Sequence, residues 1–113
     1  MRKGTIVNEE FLTILTTTDK KIDADRLSGT LVERKLAACV QVVGPIESTY
    51  RWKGKVEQAE EWLCLIKSTA AMYEAVEKAI REVHPYEVPE IVALPIVRGS
   101  RTYLDWLRDA LEG

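Results

Sequence analysis

The stretch ACVQVVGPIESTYRWKGKVEQAEEWLCLIKS, residues 38–68, decides the fold of this chain. It contains two long runs rich in β-branched and aromatic residues, which Lys53-Gly54-Lys55 interrupts. We therefore predict two antiparallel strands, at 38–52 and 56–68, joined by a tight turn. The rest of the chain can be interpreted from this hairpin outward.

Shorter elements flank the hairpin on both sides. They are predicted as a strand at 11–18, helices at 22–35 and 70–83, a strand at 91–97 and a last helix at 102–111. The order β-α-β-β-α-β with a terminal helix predicts one α+β domain over residues 1–113, in the ferredoxin-like split βαβ arrangement. Pro45 and Pro95 support it, because they fall in strands two and four, which this fold places at the sheet edges, where proline is tolerated.

The three helices are predicted to bury one face each. The inward residues are predicted as Ala24, Leu27 and Leu31 in the first helix, Met72, Val76, Ala79, Ile80 and Val83 in the second, and Tyr103, Trp106, Leu107 and Leu111 in the third.

Local signals refine these helices. Asp19, Asp23 and Asp25 lie near the positive end of the first helix. Gly29 within that helix is interpreted as a point of close helix packing. Pro85 is expected to end the second helix. In the third helix, Thr102 and Asp105 have the spacing of a capping box.

Two features predict that one copy of the chain is not enough. Residues 62–66 and 91–97 are continuous apolar runs, which is the pattern of strands buried on both faces. The long hairpin should also overhang the sheet and carry Tyr50 and Trp52, and a two-stranded ribbon is marginally stable alone. We expect a homo-oligomer with the hairpin packed on neighbouring copies; the alternative is a hairpin curled over its own sheet.

Composition excludes several classes of protein. With 113 residues, 46% of them hydrophobic and 30% charged, and a net charge of -2, the chain is not expected to bind nucleic acid. No apolar stretch is long enough to span a bilayer, and we expect a cytoplasmic protein without a membrane partner. The pairing expected around Gly54 puts Cys64 opposite Gly44, too far from Cys39 for a disulfide, so both cysteines are expected to be reduced and buried.

Four motifs carry a resemblance to a known family. They are Lys35-Leu36-Ala37-Ala38-Cys39-Val40, Tyr50-Arg51-Trp52-Lys53-Gly54-Lys55, the loop HPYEVPEI at 84–91, and Tyr103-Leu104-Asp105-Trp106. Their order and spacing over residues 10–110 resemble the CutA family. The resemblance implies a PII-like homotrimer with inward-facing sheets and interlocking hairpins, a role in tolerance of divalent cations, copper above all, and no settled enzymatic activity.

The 84–91 loop holds the candidate metal ligands. His84 is an imidazole ligand suited to copper or zinc, and Glu87 and Glu90 could add oxygen ligands. The structural alternative is that His84 caps the last carbonyls of the preceding helix. A neighbouring copy could complete the ligand set with Glu61 or a second His84.

The family pattern adds one candidate ligand and removes two. Cys39 is implied as a soft ligand, although a small buried side chain is the alternative. Thr16 and Val83 stand where some relatives have a cysteine and a histidine that are proposed to bind copper. We therefore expect weak copper binding.

A second candidate site combines Lys67 with the aromatic residues Tyr50, Trp52, Tyr86 and Trp106. A lysine beside aromatic rings could hold a small anion in a cleft between subunits, or these residues could form a subunit interface. A signalling or structural scaffold without metal function is a further possibility. No nucleotide-binding or nucleophile motif occurs, and we predict that the protein is not an enzyme.

Overall fold

A computed structural model describes residues 10–84 and 86–113. Its elements are β1 (Phe11–Thr18), α1 (Lys21–Glu33), β2 (Cys39–Trp52), β3 (Lys55–Thr69), a short 3₁₀ turn (Ala70–Met72), α2 (Tyr73–Val83), β4 (Val92–Pro95) and α3 (Arg101–Ala110). The four strands form one antiparallel sheet in the order β2-β3-β1-β4. The predicted α+β, ferredoxin-like fold is confirmed, with β2 and β4 at the edges.

The core lies between the sheet and the first two helices. From α1, Ala24, Leu27 and Leu31 are buried as predicted, and α2 contributes Val76, Ala79 and Ile80. They pack on the alternate sheet residues Leu12, Ile14, Cys64 and Ile66. At about 25 cal/mol per Å² of apolar area removed from water, this layer is the main source of stability.

The pairing of β2 with β3 is set by its turn and by a bulge. Lys53 and Gly54 both have positive φ, 51° and 82°, as in a two-residue type I′ turn. A bulge between Val43 and Ile46 shifts the register further. Cys64 consequently lies opposite Val42, so the predicted pairing with Gly44 is wrong by two residues. Both cysteines are free; Cys64 is buried, whereas Cys39 is only half-buried.

The hairpin extends beyond the body of the sheet, as predicted. β1 pairs with Trp62–Thr69 of β3, whereas in the described chain residues 55–61 pair only with β2. Residues 46–61 therefore form a two-stranded ribbon, which accounts for the longest dimension of the molecule, 51 Å against 27 and 22 Å. The ribbon does not curl over its own sheet.

One face of the sheet stays largely uncovered in a single chain. The apolar side chains that alternate away from α1 and α2 are Leu15, Val43, Leu63, Leu65, Val92 and Leu94. Among them Leu94 is 52% exposed. Helix α3 covers only the end near Phe11, where Leu107 and Leu111 pack. Burial of this face by further copies of the chain stays a prediction.

Several local predictions are wrong. A Cβ added to Gly29 would have no neighbouring atom within 4 Å, so this glycine makes no close helix contact. Val83 is 48% exposed because α2 ends there, at the margin of the core. In α3 the buried row is Leu104, Leu107 and Leu111, so Tyr103 and Trp106 point outward, 41% and 47% exposed.

The ends of two helices also differ from prediction. The cap of α3 is Ser100, whose Oγ accepts from the N–H of Tyr103, and not Thr102. Helix α1 ends at Glu33 in a Schellman motif, in which Leu36 N–H donates to Leu31 O and Lys35 takes a φ of 61°. Pro85, which was predicted to end α2, lies outside the described residues, and so do residues 1–9.

Substitutions at two glycines, Gly44 in β2 and Gly29 in α1, test the packing. A Cβ on Gly44 would lie 2.5 Å from Cε3 of Trp62, whereas a Cβ on Gly29 meets open space. We expect Gly44→Ala to lower the free energy of unfolding by about 1–3 kcal/mol through overpacking. Gly29→Ala should raise it by about 0.5–1 kcal/mol. Urea unfolding at one protein concentration measures both, and an unchanged or increased stability of Gly44→Ala would contradict the packing.

The buried thiol predicts a loss of stability in alkali. Burial, with a smaller contribution from the charge of Asp25, raises the pKa of Cys64 from 9.0 to about 11. The unfolded chain releases this proton first, so stability present below pH 9 should be lost as the pH rises to about 11, by up to about 1.4 kcal/mol per unit. Cys64→Ala should flatten the decline in urea unfolding between pH 9 and 10, whereas Cys39→Ala should leave it. Equal slopes in all three proteins would contradict the assignment.

Candidate functional site

His84 ties the end of α2 to the end of β1. Its backbone N–H donates to Ile80 O at 2.9 Å, and its ring Nε2 lies 2.6 Å from the carbonyl oxygen of Thr17. The N–H of Tyr86 donates to Nδ1 at 3.2 Å. Because a carbonyl only accepts and a backbone N–H only donates, these partners require a neutral ring with its proton on Nε2.

This geometry bears on both interpretations of His84, as a helix cap and as a metal ligand. His84 caps α2 through its backbone N–H, which donates to Ile80 O, whereas its ring bonds to β1. Metal ligation by His84 stays a prediction. It would require the ring to give up one of two hydrogen bonds, since both nitrogens are occupied within the chain.

Tyr86 joins the loop after α2 to the ribbon. Its hydroxyl donates to Oε2 of Glu61 at 2.9 Å, and its ring meets that of His84 edge-on at 4.6 Å between centroids. Burial, followed by the hydrogen bond to Glu61 and the charge of that carboxylate, raises the pKa of Tyr86 well above its ordinary value. The tyrosine therefore stays a neutral donor at physiological pH.

A cleft of about 670 Å³ opens between the ribbon and this loop. On the ribbon, the lining residues other than Thr49 recur with the period of two that places side chains on one face of the strands. The lining residues are Thr17, Ser48, Thr49, Tyr50, Trp52, Glu57, Glu61, Tyr86, Glu87, Val88 and Glu90. Four of them are carboxylates and none is a lysine or arginine, so the field in the cleft favours cations.

The cleft brings together five of the predicted site residues. Tyr50 and Trp52 come from the ribbon, and Tyr86, Glu87 and Glu90 come from the loop of residues 86–90. Glu87 and Glu90 are exposed at the rim, whereas Glu61, on the strand behind them, is only 7% exposed.

Cys39 lies apart from this group. It pairs with Lys67, which pairs with Thr13, whereas His84 bonds to Thr17. Four strand residues separate these points, about 13 Å along β1. One ion in a single chain therefore cannot be held by both Cys39 and His84. In the described part of the chain, no three His, Cys, Asp or Glu side chains are gathered closely enough to hold a metal ion.

Lys67 and Trp106 also lie outside the cleft. Lys67 Nζ donates to Gln41 Oε1 at 2.8 Å, on the uncovered face of the sheet. Trp106 faces solvent from α3 and packs against Tyr103 with 5.5 Å between the ring centroids. The predicted grouping of Lys67 and Trp106 with Tyr50, Trp52 and Tyr86 around one ligand is not formed within one chain; their role at a subunit interface stays a prediction.

Thr16 and Val83 offer little to a metal. Thr16 is fully buried in the core beside Cys64, and its Oγ1 has no hydrogen-bond partner among the described residues. Val83 carries no ligand atom.

Five residues that line the cleft were not predicted from the sequence, and Glu61 was predicted only as a ligand from a neighbouring copy; the five are Thr17, Ser48, Thr49, Glu57 and Val88. The signal that could have found Glu57 and Ser48 is the alternation in the ribbon, where Glu57 and Glu61 share a face with Tyr50 across the strand pair. The bulge at residues 43–46 obscured it, because it reverses which residues of β2 share that face.

Among the described residues no helix is long and apolar enough to span a bilayer.

Comparison with known proteins gives consistent results. Residues 12–110 match the sequence model of the family described as CutA1 divalent ion tolerance protein. The divalent-cation tolerance protein CutA of Thermus thermophilus is 45% identical over 96 residues, which cover 85% of this chain and 93% of that protein.

Two further comparisons agree. The human protein CutA is 43% identical over 79% of this chain, which spans about half the length of the human protein. A solved structure of the Thermus thermophilus protein superposes with a TM-score of 0.87 and 43% identity, covering 88% of this chain and 97% of that one. Together with the ferredoxin-like sheet and the long hairpin, these matches show that the chain belongs to the CutA divalent ion tolerance family.

Proposed function

We propose that the protein is a cytoplasmic homotrimer that binds divalent cations weakly, copper(II) among them, in the carboxylate-lined cleft. Membership of the family supports the general role in divalent-cation tolerance. The observation that carries the choice of site is the lining of the cleft, which among the described residues has four carboxylates and no cationic side chain. The descriptions of the matching proteins name tolerance and no reaction, in keeping with a binding protein.

Weak binding follows from the arrangement of the ligands. The carboxylates are spread around a wide cleft and are not gathered into a preformed triad, so a bound ion would keep part of its water shell. Carboxylates also lack the nitrogen or sulfur donors that favour copper, although copper(II) stands highest among divalent ions for a given site. His84 supports the site by fixing the loop that carries Glu87 and Glu90.

The uncovered sheet face supports the trimer. It carries six apolar side chains and lies on the same side of the sheet as Thr17, at the base of the cleft. Exposed apolar patches of this kind mark protein contacts. Copies that cover the face would therefore border the cleft and could add ligands to it.

The small-anion alternative has less support. An anion in the cleft would meet Glu57, Glu61, Glu87 and Glu90, and Lys67 is engaged elsewhere. A scaffold function without a ligand is supported by the exposed Tyr103–Trp106 pair and remains the alternative if the cleft binds no ion.

The cleft predicts which carboxylates hold copper. Calorimetric titration of copper(II) into tag-free protein should give micromolar or weaker affinity. The double variant Glu87→Gln and Glu90→Gln should weaken binding at least about tenfold, since the amide oxygens that remain carry no charge and hold a cation less strongly than carboxylates do. Its matched control, Glu33→Gln with Glu112→Gln, alters two exposed glutamates elsewhere and should bind as the wild type does. Equal affinity of the cleft variant and the wild type would contradict the proposed site.

A second titration separates the two roles of His84. Manganese(II) prefers oxygen ligands, whereas copper(II) gains greatly from an imidazole. If His84 only positions the loop, His84→Ala should weaken binding of both ions by a similar factor. A loss confined to copper, with assembly mass unchanged, would show that the ring itself is a ligand and would overturn the positioning role.

A further inference from the structure

We propose that the same cleft binds a small aliphatic diamine, with one ammonium group at Glu61 and the hydrocarbon chain against Tyr50 and Trp52. The inference rests on the proposed function only in that both use this cleft. Its ligand is an organic cation, and binding requires no metal.

The size of the cleft is the first argument. A metal ion is held by ligands about 2.0–2.6 Å away and needs little room. The cleft measures about 670 Å³, within the range of roughly 300–1,000 Å³ typical of small-molecule sites. A ligand that fills the cleft is therefore a small molecule and not a single metal ion.

The carboxylate of Glu61 is the second argument, and it fixes the sign of the ligand's charge. Glu61 is 93% buried, and the hydroxyl of Tyr86 donates to its Oε2. No lysine, arginine or histidine pairs with it in residues 10–84 and 86–113. A buried carboxylate without a cation is costly, and an ammonium group would supply both the charge and a donor to the second oxygen.

The aromatic wall is the third argument. Tyr50 and Trp52 lie on the ribbon and line the cleft together with Glu57. Alkylammonium groups are attracted to the faces of such rings, above all to tryptophan. Lys53 Nζ lies 5.6 Å from the centroid of the Trp52 ring and would repel a second ammonium there, so the ligand's charged ends belong at the carboxylates and its hydrocarbon chain at the rings. The wall therefore suits a cation with an apolar chain better than a fully hydrated ion.

The rim selects two charges over one. Glu87 and Glu90 are exposed on the loop, and Glu57 on the ribbon lines the same cleft. A second ammonium at the far end of the chain would lie among these carboxylates, whereas a monoamine would leave them unpaired. An anionic ligand would find no cationic side chain in the part of the lining that residues 10–84 and 86–113 form.

The test uses 1,5-diaminopentane as the probe, titrated into the assembled protein in buffer with EDTA. Two compounds of the same chain length serve as controls, neutral 1,5-pentanediol and the dianion glutarate. We expect the diamine to bind with at least about tenfold higher affinity than either control. Glu61→Gln should weaken that binding at least about tenfold, and Glu33→Gln, on the exposed surface of α1, should leave it unchanged.

Glu57→Gln provides a second variant in case Glu61→Gln fails to fold, because Glu57 is exposed and pairs only within the ribbon. It should weaken diamine binding several-fold. Absence of diamine binding at millimolar concentration, with copper binding retained, would overturn this inference and leave the proposed function standing.

A lysine from a neighbouring copy is the competing occupant. In that case Glu61→Gln would lower the assembly mass or stability, and the wild type would not bind the diamine. That result would also overturn the inference. Diamine binding without copper binding would support it while contradicting the metal function.

Discussion

The hydrogen bond between Tyr86 and Glu61 is the contact on which the candidate site depends. It joins two segments that the sheet alone does not hold together, the loop after α2 and the base of the ribbon. His84 prepares this contact by fixing the loop to the end of β1. The bond also keeps a buried carboxylate partly satisfied, which leaves its charge available to a cation. Together with the bonds of His84, it fixes the carboxylates of the loop relative to those of the ribbon.

The second constraint is the unequal covering of the sheet. Helices α1 and α2 bury one face, whereas α3 reaches only the end of the other near Phe11. A ribbon that overhangs the sheet and an apolar face that stays open both call for further copies of the chain. Since the cleft opens on the same side, assembly and ligand binding are expected to be linked: a ligand in the cleft would stabilise the assembled state.

The sequence predicted the fold well because the apolar runs, the Lys53–Gly54 turn and the edge prolines all indicate the same topology. It also grouped Tyr86, Glu87 and Glu90 of the candidate site, because these loop residues are close in sequence. It failed where a shift of one residue changes which side chains face the core or which residues pair across two strands. The bulge near Gly44 shifted the strand register, and the buried row of α3 proved to include Leu104 instead of Tyr103. No local pattern could show that Cys39 and His84 lie far apart, because that separation depends on strand pairing.

The central claim is that cations bind at the carboxylates of the cleft. Anomalous diffraction at the copper edge, from crystals of the assembled protein soaked in copper(II), tests it most directly because it locates the ion. The account predicts an anomalous peak in the cleft, between Glu61 and the loop of residues 86–90. Peaks confined to the ring of His84 or the thiol of Cys39, with none in the cleft, would contradict it.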